Sequence, residues 1–313
     1  MTSNAGAAAR TQGQRPQAAA AEMRDHLPCL LCGATEPRTM FTEPPYRIVK
    51  CTGCGLVYTL PRLPAETIAQ MYQVDYWQSA QAKDFGYTDY VRDRELYLRT
   101  YRMRRKLILK YHPQPGRVLD VGCAAGYFLK TMHEIGWQTT GVELSAHMAH
   151  YARTEMALPD VRQGMLEAQE LEPQSFDVIT FWDVIEHLED PRPALRHAAG
   201  LLKPDGIIVI ETQNVDSWFA RIMGKRWQHY KYEEHLYHFS PATLPRLLAA
   251  SGLQQVESSA RRGGKRVSVE FIMERARRVH PIVATLLKVL KPFARTTLYV
   301  NLFDEIIAVA RRA

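Results

Sequence analysis

The sequence has no apolar run near the ~18 residues that a membrane-crossing helix requires. Its longest candidate, Ile282 to Leu290, is broken by Lys288, so no transmembrane segment is expected. Cysteine is scarce, five in 313 residues, which excludes a disulfide-dense scaffold; glycine and proline, 18 each, are too few for a collagen-like or low-complexity chain. There is no internal repeat, which removes solenoids and propellers. What is left is ordinary globular composition, 46% hydrophobic and 23% charged, long enough for one large α/β domain with an appendage.

Acidic residues are missing before Glu22, while Arg10, Arg15 and Arg24 are present. Residues 1–26 lack both apolar periodicity and the continuous apolar core of a secretory signal. They read as a disordered leader with a faint likeness to a mitochondrial presequence. With no export signal, a cytoplasmic location is expected, where cysteines are free or bind metal. The net charge of +7 is concentrated: Arg92 to Lys110 carries a surplus of six and Arg261 to Arg295 a surplus of eight, so the rest of the chain is net acidic by seven. A basic surface therefore concerns two segments rather than the whole molecule.

The order of patterns divides the chain. A turn-rich, cysteine-bearing stretch, 27–64, precedes a helical linker or cap over 65–112. The cap holds one helix at Ala65 to Tyr72 and a longer one from Arg92, whose Tyr97, Tyr101, Ile108 and Tyr111 share a stripe. After the Pro113-Gln114-Pro115-Gly116 breaker, strands and helices alternate through Arg117–Val121, Tyr127–Ile135, Gln138–Val142, Ala146–Ala157, Phe176–Phe181, Pro193–Leu202 and Gly206–Glu211. Such alternation builds a doubly wound α/β sheet over 113–313. Pro241–Ser251 adds a helix, Gln254–Ser258 and Glu305–Arg311 add strands, and insertions at about 214–240 and 261–300 read as lids.

Two knuckles, Cys29-Leu-Leu-Cys32-Gly33 and Cys51-Thr-Gly-Cys54-Gly55, are separated by 18 residues. Each brings two sulfurs to one ion, and the glycine permits the tight turn whose N–H groups face the thiolates. Four thiolates close a tetrahedral Zn²⁺ with no open position, so a structural zinc is expected on Cys29, Cys32, Cys51 and Cys54. Cys123 stands apart and reads as a small core residue.

Val118 to Phe128 ends a strand, turns on Gly122, Ala124 and Gly126, and starts a helix, so that backbone amides can approach a ligand with a helix N-terminus behind them. Glu143 lies 21 residues after Gly122, where a doubly wound fold presents a carboxylate to ribose hydroxyls. The glycine spacing is one residue too short for a dinucleotide fingerprint. Asp120 in the preceding strand would oppose a phosphate but suits a cationic amino-acid moiety. Both features favour S-adenosylmethionine (SAM) over NAD.

These residues resemble motif I and the acidic loop of class I SAM-dependent methyltransferases. Phe176-Asp177-Val178-Ile179 with Asp183-Val184-Ile185-Glu186-His187-Leu188 resembles that family's fourth strand and active-site loop, and Leu202-Lys203-Pro204-Asp205-Gly206 resembles the turn into strand five. With the knuckles in front, and Cys54 to Tyr58 and Tyr76-Trp77 also matched, the chain from about Leu27 resembles the bacterial subgroup with an N-terminal four-cysteine zinc ribbon. The resemblance implies a seven-stranded Rossmann-like sheet with an antiparallel last strand. It also implies that Gly122, Ala124, Gly126 and Asp120 serve the methionine end of SAM, Glu143 the ribose, and Leu144, Met165 and Leu166 the adenine. Where that family often has an Asp for the adenine amino group, this chain has Met165, whose backbone is the alternative.

Methyl transfer from a sulfonium is an in-line displacement in which positioning does most of the work, but a hydroxyl acceptor also needs a base. His187, past the fourth strand, and His235 are the candidate catalytic residues, each alternatively a structural hydrogen-bonding group, with His238 a lesser one. The aromatic stretch from Asp216 to Tyr232 suits a lid over an acceptor. No Asn/Asp-Pro-Pro-Tyr box and no Pro-Cys nucleophile occur, which counts against base N-methylation and cytosine-C5 chemistry. The expected activity is methylation of a small-molecule, sugar or glycan acceptor, most simply at a hydroxyl, with sugar C-methylation the nearest variant. RNA methylation through the ribbon and basic segments, a lipid-linked acceptor with peripheral membrane contact, and a non-enzymatic SAM sensor are the alternatives. Acceptor identity and oligomeric state are not encoded in any motif found.

Overall fold

The computed structural model describes residues 23–64, 67, 91–279 and 286–313. All of the expected helix at 65–72 except residue 67, the Tyr76-Trp77 pair, most of the leader and part of the Ile282–Leu290 run lie outside the described residues.

The centre is a seven-stranded sheet. Strands β4 (Arg117–Val121), β5 (Gln138–Glu143), β6 (Val161–Gln163), β7 (Phe176–Trp182) and β8 (Leu202–Gln213) run parallel, while β13 (Glu305–Arg312) runs antiparallel between β8 and β10 (Leu253–Ser259). The order β10-β13-β8-β7-β4-β5-β6 follows from the sequence. The run Ile207-Ile208-Val209-Ile210 is apolar on both sides of the pleat and every member is fully buried, as a central parallel strand with helices on both faces requires. The last strand inserts beside β8 with Ile307 opposite Glu211, as the resemblance implies.

Helices cover both faces. The first, α1 (Arg94–Tyr111), buries Thr100, Arg104, Leu107 and Ile108 along one stripe and Leu98 beside it. Next come α2 (Tyr127–His133) after β4 and α3 (Ala146–Thr154) after β5, the latter started by the Ser145 hydroxyl accepting from the Met148 N–H. Helix α4 (Pro191–Leu201) is capped by the Asp190 carboxylate on the Arg192 N–H and by Pro191 at its first position. Short helices α5 (Trp218–Met223) and α6 (Leu244–Ala250) flank the segment between β8 and β10.

The cysteine-bearing region is an antiparallel meander, β1 (Arg38–Glu43), β2 (Tyr46–Lys50) and β3 (Val57–Leu60), and its fourth strand comes from far along the chain: β9 (Tyr237–His238) pairs with β3. The ribbon is thus stitched to the segment that carries the candidate catalytic His235. The aromatic stretch expected as a lid is largely core instead. Trp227 and Tyr230 are buried with Ile48 and Val57 of the ribbon, Trp227 donates from its indole N–H to Asp304 Oδ2 at 3.1 Å, and Trp218 and Ile222 are the exposed members. The second insertion is a mixed element rather than a helix alone. A hairpin of β11 (Lys265–Ser268) and β12 (Thr297–Val300) brackets α7 (Val269–Val279), and β11 lies along α1, where the Arg266 N–H donates to Thr100 Oγ1.

Candidate active site

The turn after β4 takes the form that its small residues permit. Gly122 and Gly126 have φ of +71° and +74°. A Cβ on Gly122 would stand 2.7 Å from Val184 Cγ2, and one on Gly126 would stand 2.5 Å from Leu158 Cδ1, so side chains are excluded there by both conformation and space. Ala124 between them is also left-handed, φ +46°, a strain of order 1 kcal/mol that functional turns often hold. Across the strand ends, Glu143 closes the cradle: its carboxylate accepts from the Ala124 N–H at 2.9 Å and from the Ser145 N–H at 2.7 Å. Burial raises its pKa and those backbone donors oppose the rise. Leu144 is half-buried beside Glu143. Gly164, whose N–H donates to the Glu143 carbonyl, leads into exposed Met165 and buried Leu166. The expected cofactor residues therefore converge on the carboxyl ends of β4, β5 and β6, where ligands of doubly wound sheets sit.

Asp120 is buried one residue back, its Oδ1 accepting from Thr180 Oγ1 at 2.6 Å. Burial, with Glu143 close by, pushes its carboxyl up to about 8, a state that a cationic amino group would reverse. The glycine cradle, the ribose-type carboxylate and this acid together match what SAM presents.

The other half of the cleft begins at Asp183, which follows β7 in a left-handed conformation, φ +56°. It anchors an ionic network that is half-exposed at Asp183 and Lys265 and buried at Arg104, Glu211 and Glu305. Lys265 Nζ lies 3.3 Å from Asp183 Oδ2 and also pairs with Glu305, while Arg104 bonds Glu211 and stands 3.8 Å from Glu305. Burial opposes ionisation of Asp183, but Lys265 and Arg104 hold its carboxyl below the usual range. Burial, with Asp183 and Glu305 alongside, pushes Glu211 up despite Arg104. Two signals in the sequence pointed here. Glu211 is a carboxylate ending an otherwise apolar strand, and Arg104 falls on the same helical stripe as Tyr97, Tyr101, Ile108 and Tyr111; its guanidinium packs between the Tyr101 and Trp182 rings.

Glu186, His187 and His235 form a second cluster, with donor atoms within 4.8 Å of one another, close enough to share a proton or a cation. His187 and His235 meet edge to face at 4.6 Å. Burial lowers both imidazoles, His187 to about 3 and His235 well below its ordinary value, so both are neutral near pH 7. Glu186 is the group poised near the working range: burial first, then the Asp183 charge, raises it to about 8. A proton count agrees. Thr212 Oγ1 lies 2.9 Å from Glu186 Oε2 and 2.8 Å from Gln213 Oε1, and Gln213 is oriented because its Nε2 donates to the Tyr237 carbonyl at 2.8 Å. One hydroxyl proton cannot satisfy two acceptors, so both contacts are bonds only when Glu186 itself carries a proton. His238 is fully buried between Gln213 Nε2 and Thr59 Oγ1, a supporting place away from the cleft.

The ribbon orders this half. Thr59 donates its hydroxyl to the His235 carbonyl at 2.8 Å, Arg62 donates to Tyr237 Oη at 2.9 Å, and the Leu236 N–H donates to the Glu186 carbonyl at 2.8 Å. At its far end Cys29, Cys32, Cys51 and Cys54 gather their sulfurs within 4.8 Å, with Cys29–Cys54 and Cys32–Cys51 contacts of 3.4 Å. That is near the ~3.8 Å edge of a tetrahedron built on Zn–S bonds of ~2.3 Å. Gly33 and Gly55, at φ +74° and +82°, turn each knuckle. The donor set fits a zinc ion.

Sheet order and cradle define a Rossmann-like nucleotide-cofactor enzyme. The family described as "Methyltransferase domain" matches residues 90–258, more than half of the chain. The chain belongs to that family. Among curated relatives, the ubiquinone biosynthesis O-methyltransferase of Idiomarina loihiensis is 34% identical over 152 residues, 45% of this chain and 62% of that protein. Its namesake from Xanthomonas euvesicatoria is 31% identical over 154 residues, 44% of this chain and 62% of that protein. The chain thus spans about three fifths of the length of these relatives. Among solved structures, a chain of the complex between the Haloferax volcanii Trm112 methyltransferase activator and its methyltransferase is 18% identical with a TM-score of 0.51, covering 73% of this chain and 97% of that one; this likeness concerns the fold. Among the described residues no helix is long and apolar enough to cross a membrane.

Proposed function

We propose that the enzyme transfers the methyl group of SAM to a hydroxyl of a small-molecule, sugar or glycan acceptor. The observation that carries this reading is the juxtaposition, across the ends of β4 and β7, of the Gly122–Gly126 cradle with the Glu186–His187–His235 cluster: Gly122 abuts Val184, two residues from Glu186. Relatives named for O-methylation of a small molecule support the hydroxyl. Asp120, Gly122, Ala124 and Gly126 receive the methionine end of SAM, Glu143 the ribose, and Leu144, Met165 and Leu166 the adenine. When bound, SAM supplies an electrophilic methyl on a sulfonium. The protein's part is to orient the acceptor oxygen in line with that methyl and to take the hydroxyl proton, a task for Glu186 in its ionised form. The cluster accepts it once Glu186 ionises, with the neutral imidazoles relaying. Cys29, Cys32, Cys51 and Cys54 hold a structural zinc that keeps the ribbon, and through Thr59 and Arg62 the 235–238 segment, in register. The chain acts in the cytoplasm.

Incubation with methyl-labelled SAM and fractionated extract of the source cell tests the acceptor class. Label in small glycans or sugars, recovered as a methyl ether, is expected; label confined to RNA would reject the reading.

A further inference from the structure

The two basic segments are 150 residues apart in sequence but meet in the fold. Between α1 and the turn that follows β10 lies a groove of about 260 Å³, rimmed by Lys106, Lys110, Arg261 and Arg262 and floored by buried Leu107 and Ile307. Its acidic neighbour, Glu257, is already saturated: Lys110 Nζ and Tyr111 Oη approach its Oε2 at 2.6 and 2.7 Å, and Arg262 its Oε1 at 2.7 Å. Among the described residues Lys106 and Arg261 have no acidic side chain within ion-pair distance. Four cations against one carboxylate leave the rim at three positive charges. The groove adjoins the cleft. Arg104 lines its wall while bonding Glu211, and Gly263-Gly264 connects Arg262 to Lys265, whose ammonium holds Asp183. SAM is expected on the opposite flank, over β4 to β6.

We propose that this groove binds the phosphate or diphosphate group of a small phosphorylated acceptor, with the apolar floor meeting the adjoining stem of that molecule. Concentrated positive charge of both the forked and the point kind suits a group with several anionic oxygens better than a single carboxylate, and a short groove with an apolar floor suits a discrete ligand better than a polyanionic backbone. The inference rests on the small-molecule reading above, and its test uses binding alone, so that failure of either can be told from failure of the other.

Inorganic pyrophosphate is titrated calorimetrically into the full chain and into the Lys106→Glu/Arg261→Glu variant, with SAM affinity and melting temperature measured alongside. Both substituted side chains are exposed, so the fold should be retained. One saturable site, weakened about tenfold or more in the variant with SAM affinity unchanged, is expected. Absence of saturable binding, or binding that the variant leaves intact, would overturn the proposal. So would a protein that ignores pyrophosphate but sediments with phosphatidylglycerol–phosphatidylcholine vesicles, which would make the surface a membrane contact.

Discussion

The cofactor half and the acceptor half of the cleft are built in opposite ways. Asp120 to Leu166 supply the whole cofactor half from one contiguous stretch, with short loops and backbone amides as its main polar groups. The acceptor half draws on Thr59, Arg104, Asp183 to His187, Glu211 to Gln213, His235, Lys265 and Glu305, tied by ion pairs and side-chain hydrogen bonds. A contiguous half can be kept by holding one motif, whereas a distributed half changes with any of its contributing segments.

That contrast can be broken at several points. On the cofactor side, Glu143→Ala should weaken SAM binding by about 100-fold or more in calorimetry and also lower the melting temperature, because the Ala124 and Ser145 N–H groups lose their buried acceptor. On the acceptor side, Arg104→Ala leaves Glu211 and Glu305 buried without their nearest guanidinium. A loss of ~3–5 kcal/mol of unfolding free energy is expected in denaturant titration, with partial recovery in Arg104→Met/Glu211→Met.

Smaller effects sharpen the boundary between the halves. Cys29→Ser should lower bound zinc from one ion per chain by metal analysis and impair turnover, while the SAM site stays within about threefold of its affinity, because the ribbon bonds directly to the 235–238 segment. Asp120 stands raised to about 8 in the fold. A carboxyl raised on folding contributes stability below its unfolded pKa near ~4 that is lost as pH rises toward 8. SAM-free protein should therefore melt at progressively lower temperature from pH 5 to 8, and Asp120→Asn should reduce that slope, leaving the part that Glu186 contributes.

The sequence made the cofactor half legible for the same reason that it is robust. Glycines at a fixed spacing and one acid 21 residues on are local signals, and the alternation of apolar strands and helices sets the sheet. The cysteine knuckles were readable because a metal needs its ligands close in sequence pairs. Lys265, Glu305 and Thr59 were not readable, since nothing in their own neighbourhoods says which strand end they reach. The aromatic stretch looked like a lid because its burying partner, the ribbon sheet, lies about 170 residues earlier. In sequence His187 and His235 offer an ordinary imidazole pKa, and burial takes that pKa away from both. The adjoining Glu186 acquires the useful one, an exchange that depends on desolvation and so has no sequence pattern.

The most direct test of separable halves is Glu186→Gln, with SAM affinity and methyl transfer measured on the same preparation from pH 6 to 9.5. Wild-type turnover should rise through about pH 8, and the variant should bind SAM within about twofold of wild type yet lose turnover and its pH dependence. A variant that loses SAM binding, or that transfers methyl groups with the wild-type pH profile, would contradict the account.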